Sequence, residues 1–460
     1  MRSRMGSFLR RVGQELCMMT TPTTPYEETA LCANLGRRDG RLLFAGQDTV
    51  ELARQYGTPL YLMDEDRIRY NCRLYTQAFN RCLPAGSRVL YASKAAAFRQ
   101  MCRIVGEEGL GLDVVSSGEI YTAMTAGFPM ERVYYHGNSK SDRDLAFALD
   151  AGVGCIVVDG VEELLALEAE AGRRNARQKV LLRITPGIDP HTYAAVSTGQ
   201  VDSKFGVSIE TGQADEFVKL ALGQPHLSVA GFHCHVGSQV FWEDVFERSV
   251  LVMMAFIRHI RDTLGYLPEE LDLGGGYGVR YVQSDPAIDI PRKIASVAET
   301  LAAIARRLSL PVPKVLMEPG RSIVADAGMT LYTVGAVKEI TGYKRYVAVD
   351  GGMADNPRYA LYGAKYTCCN AGRMDEPGDM LCDLVGKCCE SGDIIQPQIH
   401  LPAATQRGDV IAVCTTGAYN FSMASGYNRL CRPPVVMLQN GRSYVAVKGE
   451  TLEDLVRLDI

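Results

Sequence analysis

Hydrophobic positions between residues 89 and 317 fall into short apolar runs, separated by stretches with a helical repeat. The runs cover residues 89–92, 112–115, 133–135, 155–158, 180–184, 229–234, 271–273 and 315–317. They are continuous rather than alternating, as expected of strands buried on both faces of a parallel sheet. The intervening stretches carry helix-start signals, such as Ser141 with Asp144 three residues on. Eight such units predict a (β/α)8 barrel, an α/β fold. A doubly wound sheet is the alternative that the periods leave open.

The flanking segments read differently. Upstream lie a strand at 40–44, a helix at 50–55, an apolar run at 60–63 and a helix over 66–81. Beyond about residue 325 the long helical repeats stop. Strands are expected at 331–334, 346–349 and 410–413, and those at 435–438 and 444–447 flank the hairpin signal Asn440-Gly441. The chain thus divides into a flexible extension (1–25), a segment joining a β domain (26–60), a barrel (61–324) and a second, C-terminal all-β domain (325–460).

Barrel enzymes place reactive groups just beyond the C-terminal ends of the strands. Those positions hold Lys94, Asp113, His136, Arg183, His235, Gly274 to Gly276 and Glu318. A scaffold without chemistry has no need of that convergence. Lys94 follows a buried run in Tyr91-Ala92-Ser93-Lys94. A desolvated ammonium gives up its proton more readily, and the neutral amine can then attack an aldehyde. Lys94 is therefore the expected attachment point of pyridoxal 5'-phosphate, against the plain reading of a surface lysine at a strand end.

Three further motifs suit that cofactor. Gly274-Gly275-Gly276 exposes successive backbone N–H groups, which suits phosphate capture; Val279 stands where a dinucleotide fingerprint needs glycine. Glu318-Pro319-Gly320-Arg321 ends the eighth run. A buried carboxylate there keeps a pyridine nitrogen protonated, which makes a strong electron sink and favours decarboxylation over racemisation. His233 and His235 share one strand face, a spacing open to metal. The following Val236-Gly237-Ser238 instead suggests a ring-stacking imidazole and a phosphate-binding hydroxyl, so no metal is expected.

Composition narrows the class. A net charge of −4 gives no footprint for nucleic acid or an anionic membrane. The 14 cysteines include no Cys-x-x-Cys pair, which suggests a reducing, cytoplasmic setting. Arg2, Arg4, Arg10 and Arg11 precede no apolar core of a secretory signal, and Met18 or Met19 is an alternative start.

With these motifs in hand, the chain from about residue 30 onward resembles the diaminopimelate decarboxylase family of fold-type III, alanine-racemase-like pyridoxal phosphate enzymes. The likeness extends to Gly111-Leu112-Asp113-Val114-Val115-Ser116, His136-Gly137-Asn138-Ser139-Lys140-Ser141, Asp202-Ser203-Lys204-Phe205-Gly206, Tyr359-Ala360-Leu361-Tyr362-Gly363-Ala364, Cys389-Glu390-Ser391-Gly392-Asp393 and Gly417-Ala418-Tyr419.

The resemblance implies roles. Lys94 carries the cofactor, and His235 stacks on its ring. Ser238, Gly274, Gly275 and Gly276 hold the phosphate, Glu318 faces the pyridine nitrogen, and Asp113, Gly320, Arg321 and Tyr419 complete the cofactor site. Arg321, Arg358, Tyr362 and Tyr419 contact the substrate, whose non-reacting carboxylate the two arginines clamp. Glu390 holds the amino group there, and Cys389 returns a proton after CO2 leaves. In the family Cys389 and Glu390 come from the second subunit, implying a homodimer with shared active sites. The implied reaction is decarboxylation of meso-2,6-diaminopimelate to L-lysine and CO2, the last step of lysine biosynthesis. A decarboxylase of another basic amino acid, a racemase, and an inactive binding protein are the competing readings. Departures from the family pattern at Ala96, Gly386-Lys387 and Gly426 remove no reacting group. Lys387, two residues before Cys389, is a charge that favours a thiolate.

Overall fold

The computed structural model describes residues 32–188, 203–241 and 244–460. The extension at 1–25, the alternative starts Met18 and Met19, and Asp202 lie outside the described residues.

All eight expected barrel strands form, each within two residues of its expected bounds. Arg88–Ala92, Gly111–Val114, Val133–Tyr135, Cys155–Val158, Gln178–Thr185, Leu227–His233, Glu270–Asp272 and Lys314–Met317 pair in parallel in that order. Leu316 and Met317 pair back onto Arg88 and Val89, which closes the barrel and excludes the doubly wound sheet. Strand centres such as Leu112, Ile156, Leu182 and Phe232 are fully buried. Continuous apolar runs are needed because helices cover one face while the other fills the barrel interior.

The helices start where the sequence signals them. Ser141 and Asp144 form a reciprocal capping box on Asp142–Asp150. Asp64 caps Glu65–Cys82, accepting from the Arg67 N–H. The last strand is followed only by the single turn Arg321–Val324. Glu65–Cys82 packs against both Arg321–Val324 and Ile290–Leu308, and so fills the place of a full eighth helix. A helix that precedes the first strand thus closes the outer ring.

One strand belongs to a different layer from the one its position in the sequence predicts. Leu60–Asp64, taken as the start of the barrel segment, pairs antiparallel with Gly328–Ile340 and parallel with Val435–Gln439. It is a central strand of the β domain, because both of its neighbours are β-domain strands and every one of its residues is buried. The seven-strand path of that domain runs Ile394–Leu401, Met380–Val385, Lys344–Val349, Gly328–Ile340, Leu60–Asp64, Val435–Gln439 and Arg442–Val447, with Val410–Cys414 also paired to Gly328–Ile340. The Asn440-Gly441 hairpin forms as expected. Leu42 and Phe44, from a small three-stranded sheet, are buried against Leu60, Leu62 and Leu331 of the β domain.

Candidate active site

A cavity of about 770 Å³ opens at the C-terminal end of the barrel strands, against the β domain. Its size and mixed lining suit a small cofactor with a substrate. Of the residues expected at a site, Lys94, Asp113, His235, Ser238, Gly275, Gly276, Glu318, Gly320, Arg321, Arg358, Tyr362 and Tyr419 all line it. Twelve residues from distant parts of the chain therefore meet in one space.

Lys94 sits on the turn Ser93–Ala95 after the first barrel strand. Burial works against its charge, but Asp113, Tyr419 and Glu318 outweigh burial and hold the ammonium above its ordinary pKa. The expected loss of its proton through desolvation alone is thus reversed, because nearby anions compete with burial.

The floor of the cavity is a buried cluster. His136 Nε2 lies 2.7 Å from Glu318 Oε1, and His233 Nε2 lies 3.4 Å from Glu318 Oε2. Burial alone would raise the Glu318 pKa; the two imidazoles overcome it and hold the carboxyl well below the usual range. His233 is lowered to about 4, chiefly by burial, with Glu318 opposing. Burial raises Asp113 and, further, Asp272, whose like-charged neighbour is Glu318. Close approach is not alignment here: His136 Nε2 and Glu318 Oε1 both lack a hydrogen-bond partner, as do Asp113 Oδ1 and His233 Nδ1. Buried polar atoms left open in this way are costly unless a ligand completes them.

One wall is a backbone cradle. Gly276 has φ +130°, and a Cβ there would stand 2.2 Å from the Gly237 carbonyl oxygen. A Cβ on Gly275 would stand 2.0 Å from the Glu318 carbonyl oxygen. Only glycine lets these two loops and strand ends close together. The Gly275 N–H donates to His235 Nδ1 at 3.3 Å, which fixes that nitrogen as the acceptor. Burial, then Lys94, pushes the His235 pKa well below its ordinary value, so its ring is neutral, as suits stacking on an aromatic face. These groups fit pyridoxal phosphate: an amine for its aldehyde, a ring platform, an anion for its nitrogen and a glycine cradle for its phosphate.

Another part of the lining is cationic. Arg321 donates to Ser238 Oγ from Nε (3.3 Å) and Nη2 (2.9 Å), and Nη1 donates to the Tyr281 hydroxyl at 2.7 Å. Arg358 Nη1 donates to the Tyr366 hydroxyl at 2.6 Å, while its Nε is buried without a partner. Both arginines are buried, yet among the described residues no carboxylate lies within 4 Å of either.

Three expected residues do not line this cavity. Gly274 packs beneath His235, where a Cβ would come within 2.6 Å of Nδ1. Cys389 and Glu390 are exposed on the 386–393 connection, where the Cys389 N–H donates to Asn428 Oδ1 at 2.7 Å. Conversely, His233, Tyr281 and Phe241 line the site without having been assigned to it. His136 and Arg183 were visible as strand-end residues, but the contact of His136 with Glu318 had no local signal.

Fold and site together define a barrel enzyme whose cavity fits pyridoxal phosphate. Residues 65–325 match the family model described as pyridoxal-dependent decarboxylase, pyridoxal binding domain. The chain is 45% identical over 423 residues to diaminopimelate decarboxylase of Bacillus subtilis (strain 168), covering 92% of this chain and 95% of that one. A crystal structure of diaminopimelate decarboxylase from M. jannaschii in co-complex with L-lysine superposes with a TM-score of 0.86 at 32% identity, covering 94% and 99% of the two chains. One from Helicobacter pylori, also complexed with L-lysine, gives 0.81 at 32%, covering 90% and 99%. The chain belongs to the diaminopimelate decarboxylase family.

Proposed function

We propose that the protein decarboxylates meso-2,6-diaminopimelate to L-lysine and CO2 with pyridoxal phosphate as cofactor, and that it works as a homodimer. The observation that carries the substrate reading is the pair of buried guanidiniums, Arg321 and Arg358, with no carboxylate beside them among the described residues. Buried cations without a counter-ion are costly, and an anionic group on the ligand removes that cost.

Pyridoxal phosphate bound here supplies the electron sink that accepts the pair released with CO2. The chain does the rest. Lys94 anchors the cofactor, and His235 supports its ring. Ser238 with the Gly275–Gly276 backbone binds the phosphate. Glu318, held anionic by His136 and His233, keeps the facing nitrogen protonated. Asp113, Gly320 and Tyr419 border the cofactor.

Arg358 and Arg321, with Tyr362, clamp the distal carboxylate, where a planar guanidinium offers paired donors. Ornithine has no such group and would leave both arginines unpaired, which disfavours it by leaving charge unsatisfied. Glu390 and Cys389 are exposed and do not line their own cavity, which supports binding and proton-donating roles exercised in the partner's site. Thirteen free cysteines among the described residues support a reducing, cytosolic location. No helix among those residues is long and apolar enough to cross a membrane.

The test is CO2 release from meso-diaminopimelate, ornithine, arginine and lysine in parallel, with added pyridoxal phosphate. Preference for meso-diaminopimelate is expected; preference for ornithine overturns the substrate reading.

A further inference from the structure

We propose that Tyr281 is the positioning residue for the carboxylate clamp, holding Arg321 and Arg358 in one fixed arrangement. The inference rests on the substrate reading above. Tyr281 belongs to the loop after the seventh barrel strand and is only 5% exposed. Its hydroxyl accepts from Arg321 Nη1 at 2.7 Å. Its ring lies beneath both guanidiniums, with Arg358 Cζ 4.9 Å and Arg321 Cζ 5.8 Å from the centroid. One side chain thus touches both cations, by a hydrogen bond and by the electron-rich face of its ring.

Tyr281 is itself tied down at both ends. Its N–H donates to Asp285 Oδ2 at 2.9 Å. Its carbonyl accepts from the Thr367 N–H at 3.1 Å and from Thr367 Oγ1 at 2.9 Å, across the boundary with the β domain. Its ring meets Tyr366 edge to face, with centroids 5.5 Å apart at 88°. Tyr366 in turn accepts from Arg358 Nη1 and donates to Asn420 Oδ1.

Two long cationic side chains left to themselves sample many rotamers and repel each other. Binding a carboxylate would then require ordering both, at a cost in affinity. A rigid aromatic beneath them removes that cost beforehand. The ring and hydroxyl act on the two guanidiniums, so the effect belongs to ground-state binding of the distal carboxylate. Uniform binding of this kind appears in KM and leaves kcat largely unchanged.

The experiment compares the holoenzyme with its Tyr281→Phe variant, which keeps the ring and removes the hydroxyl. Losing one hydrogen bond to a charged group predicts a KM for meso-diaminopimelate raised roughly ten-fold, with kcat within about two-fold. L-Lysine retains the clamped carboxylate, and its competitive inhibition constant rises by the same factor. That of 1,5-diaminopentane, which has no carboxylate, stays put. Tyr281→Leu, lacking the ring as well, moves the first two further and leaves the third unchanged. Cofactor absorbance and melting temperature show that the variants are loaded and folded. An unchanged KM in Tyr281→Phe, or an equal loss of affinity for the diamine, overturns the inference. Wild-type enzyme that leaves meso-diaminopimelate intact would overturn the substrate reading and this inference with it; wild-type enzyme that consumes it while Tyr281→Phe behaves identically overturns this inference alone.

Discussion

His136 Nε2 stands 2.7 Å from Glu318 Oε1 at the floor of the cavity, in a place where both groups are almost fully buried. An isolated carboxylate would be costly there. Together with His233 they make a site where Glu318 stays anionic at neutral pH.

The first prediction concerns that charge. Glu318→Gln keeps the shape and removes the anion, so the facing nitrogen is no longer held protonated. Activity falls by about 10²-fold or more, the scale of losing one preorganised electrostatic contact. His136→Asn gives a smaller loss, because His233 still supports the carboxylate. Steady-state kcat with cofactor content measured in parallel checks this. Full activity in Glu318→Gln would refute the assigned role of the carboxylate.

The second prediction concerns pH and loading. The proposed covalent attachment needs neutral Lys94, whose pKa is raised by Asp113 against the opposing effect of burial. The neutral fraction grows with pH, so cofactor capture by stripped enzyme speeds up as pH rises above 7. Asp113→Asn removes the anion that acts most strongly on Lys94 and lowers its pKa, so capture at a given pH becomes faster and its rise shifts to lower pH. Stopped-flow absorbance follows both; slower capture in Asp113→Asn at every pH would contradict the sign.

What was legible in advance follows from range of interaction. The barrel strands announced themselves because burial on both faces leaves a continuous apolar run, which needs no knowledge of partners. Lys94, Glu318 and the glycines stood out because strand ends are where barrel chemistry collects. Leu60–Asp64 was misplaced for the complementary reason: its apolar run shows a buried strand, but not which sheet, and its partners begin at Gly328 and Val435, far along the chain. Tyr281 was hidden too. A tyrosine five residues beyond a glycine loop looks ordinary until Arg358, 77 positions later in the sequence (358 − 281), folds over its ring.

The third prediction concerns Lys140, whose ammonium is buried and bonded to Glu163 (2.7 Å) and to the Gly137 and Val157 carbonyls. These bonds pin the loop that presents His136 and Asn138 to the cavity. Lys140→Ala leaves Glu163 as an uncompensated buried charge and destabilises by roughly 3–5 kcal/mol. The pair Lys140→Met with Glu163→Leu removes both charges and costs clearly less than the sum of the two single changes. Denaturant melts of the four proteins provide the cycle, and strict additivity would argue against a buried pair.

The last prediction decides whether the site is shared. In the proposed homodimer, Lys94→Ala and Cys389→Ala are each expected to abolish activity, one through the proposed anchor and the other through the proposed proton donor. Suppose Cys389 serves the partner's cavity. In a mixed dimer one cavity then combines intact Lys94 with intact Cys389, and the other carries both lesions. Random reassociation of equal amounts makes half of the dimers mixed, so about a quarter of wild-type activity returns. Were Cys389 to serve its own cavity, every site would keep one lesion and no activity would return. The exposed position of Cys389 and Glu390, outside the lining of their own cavity, favours recovery. Mixing after mild dissociation, with each homodimer alone as control, separates the two outcomes in a single assay.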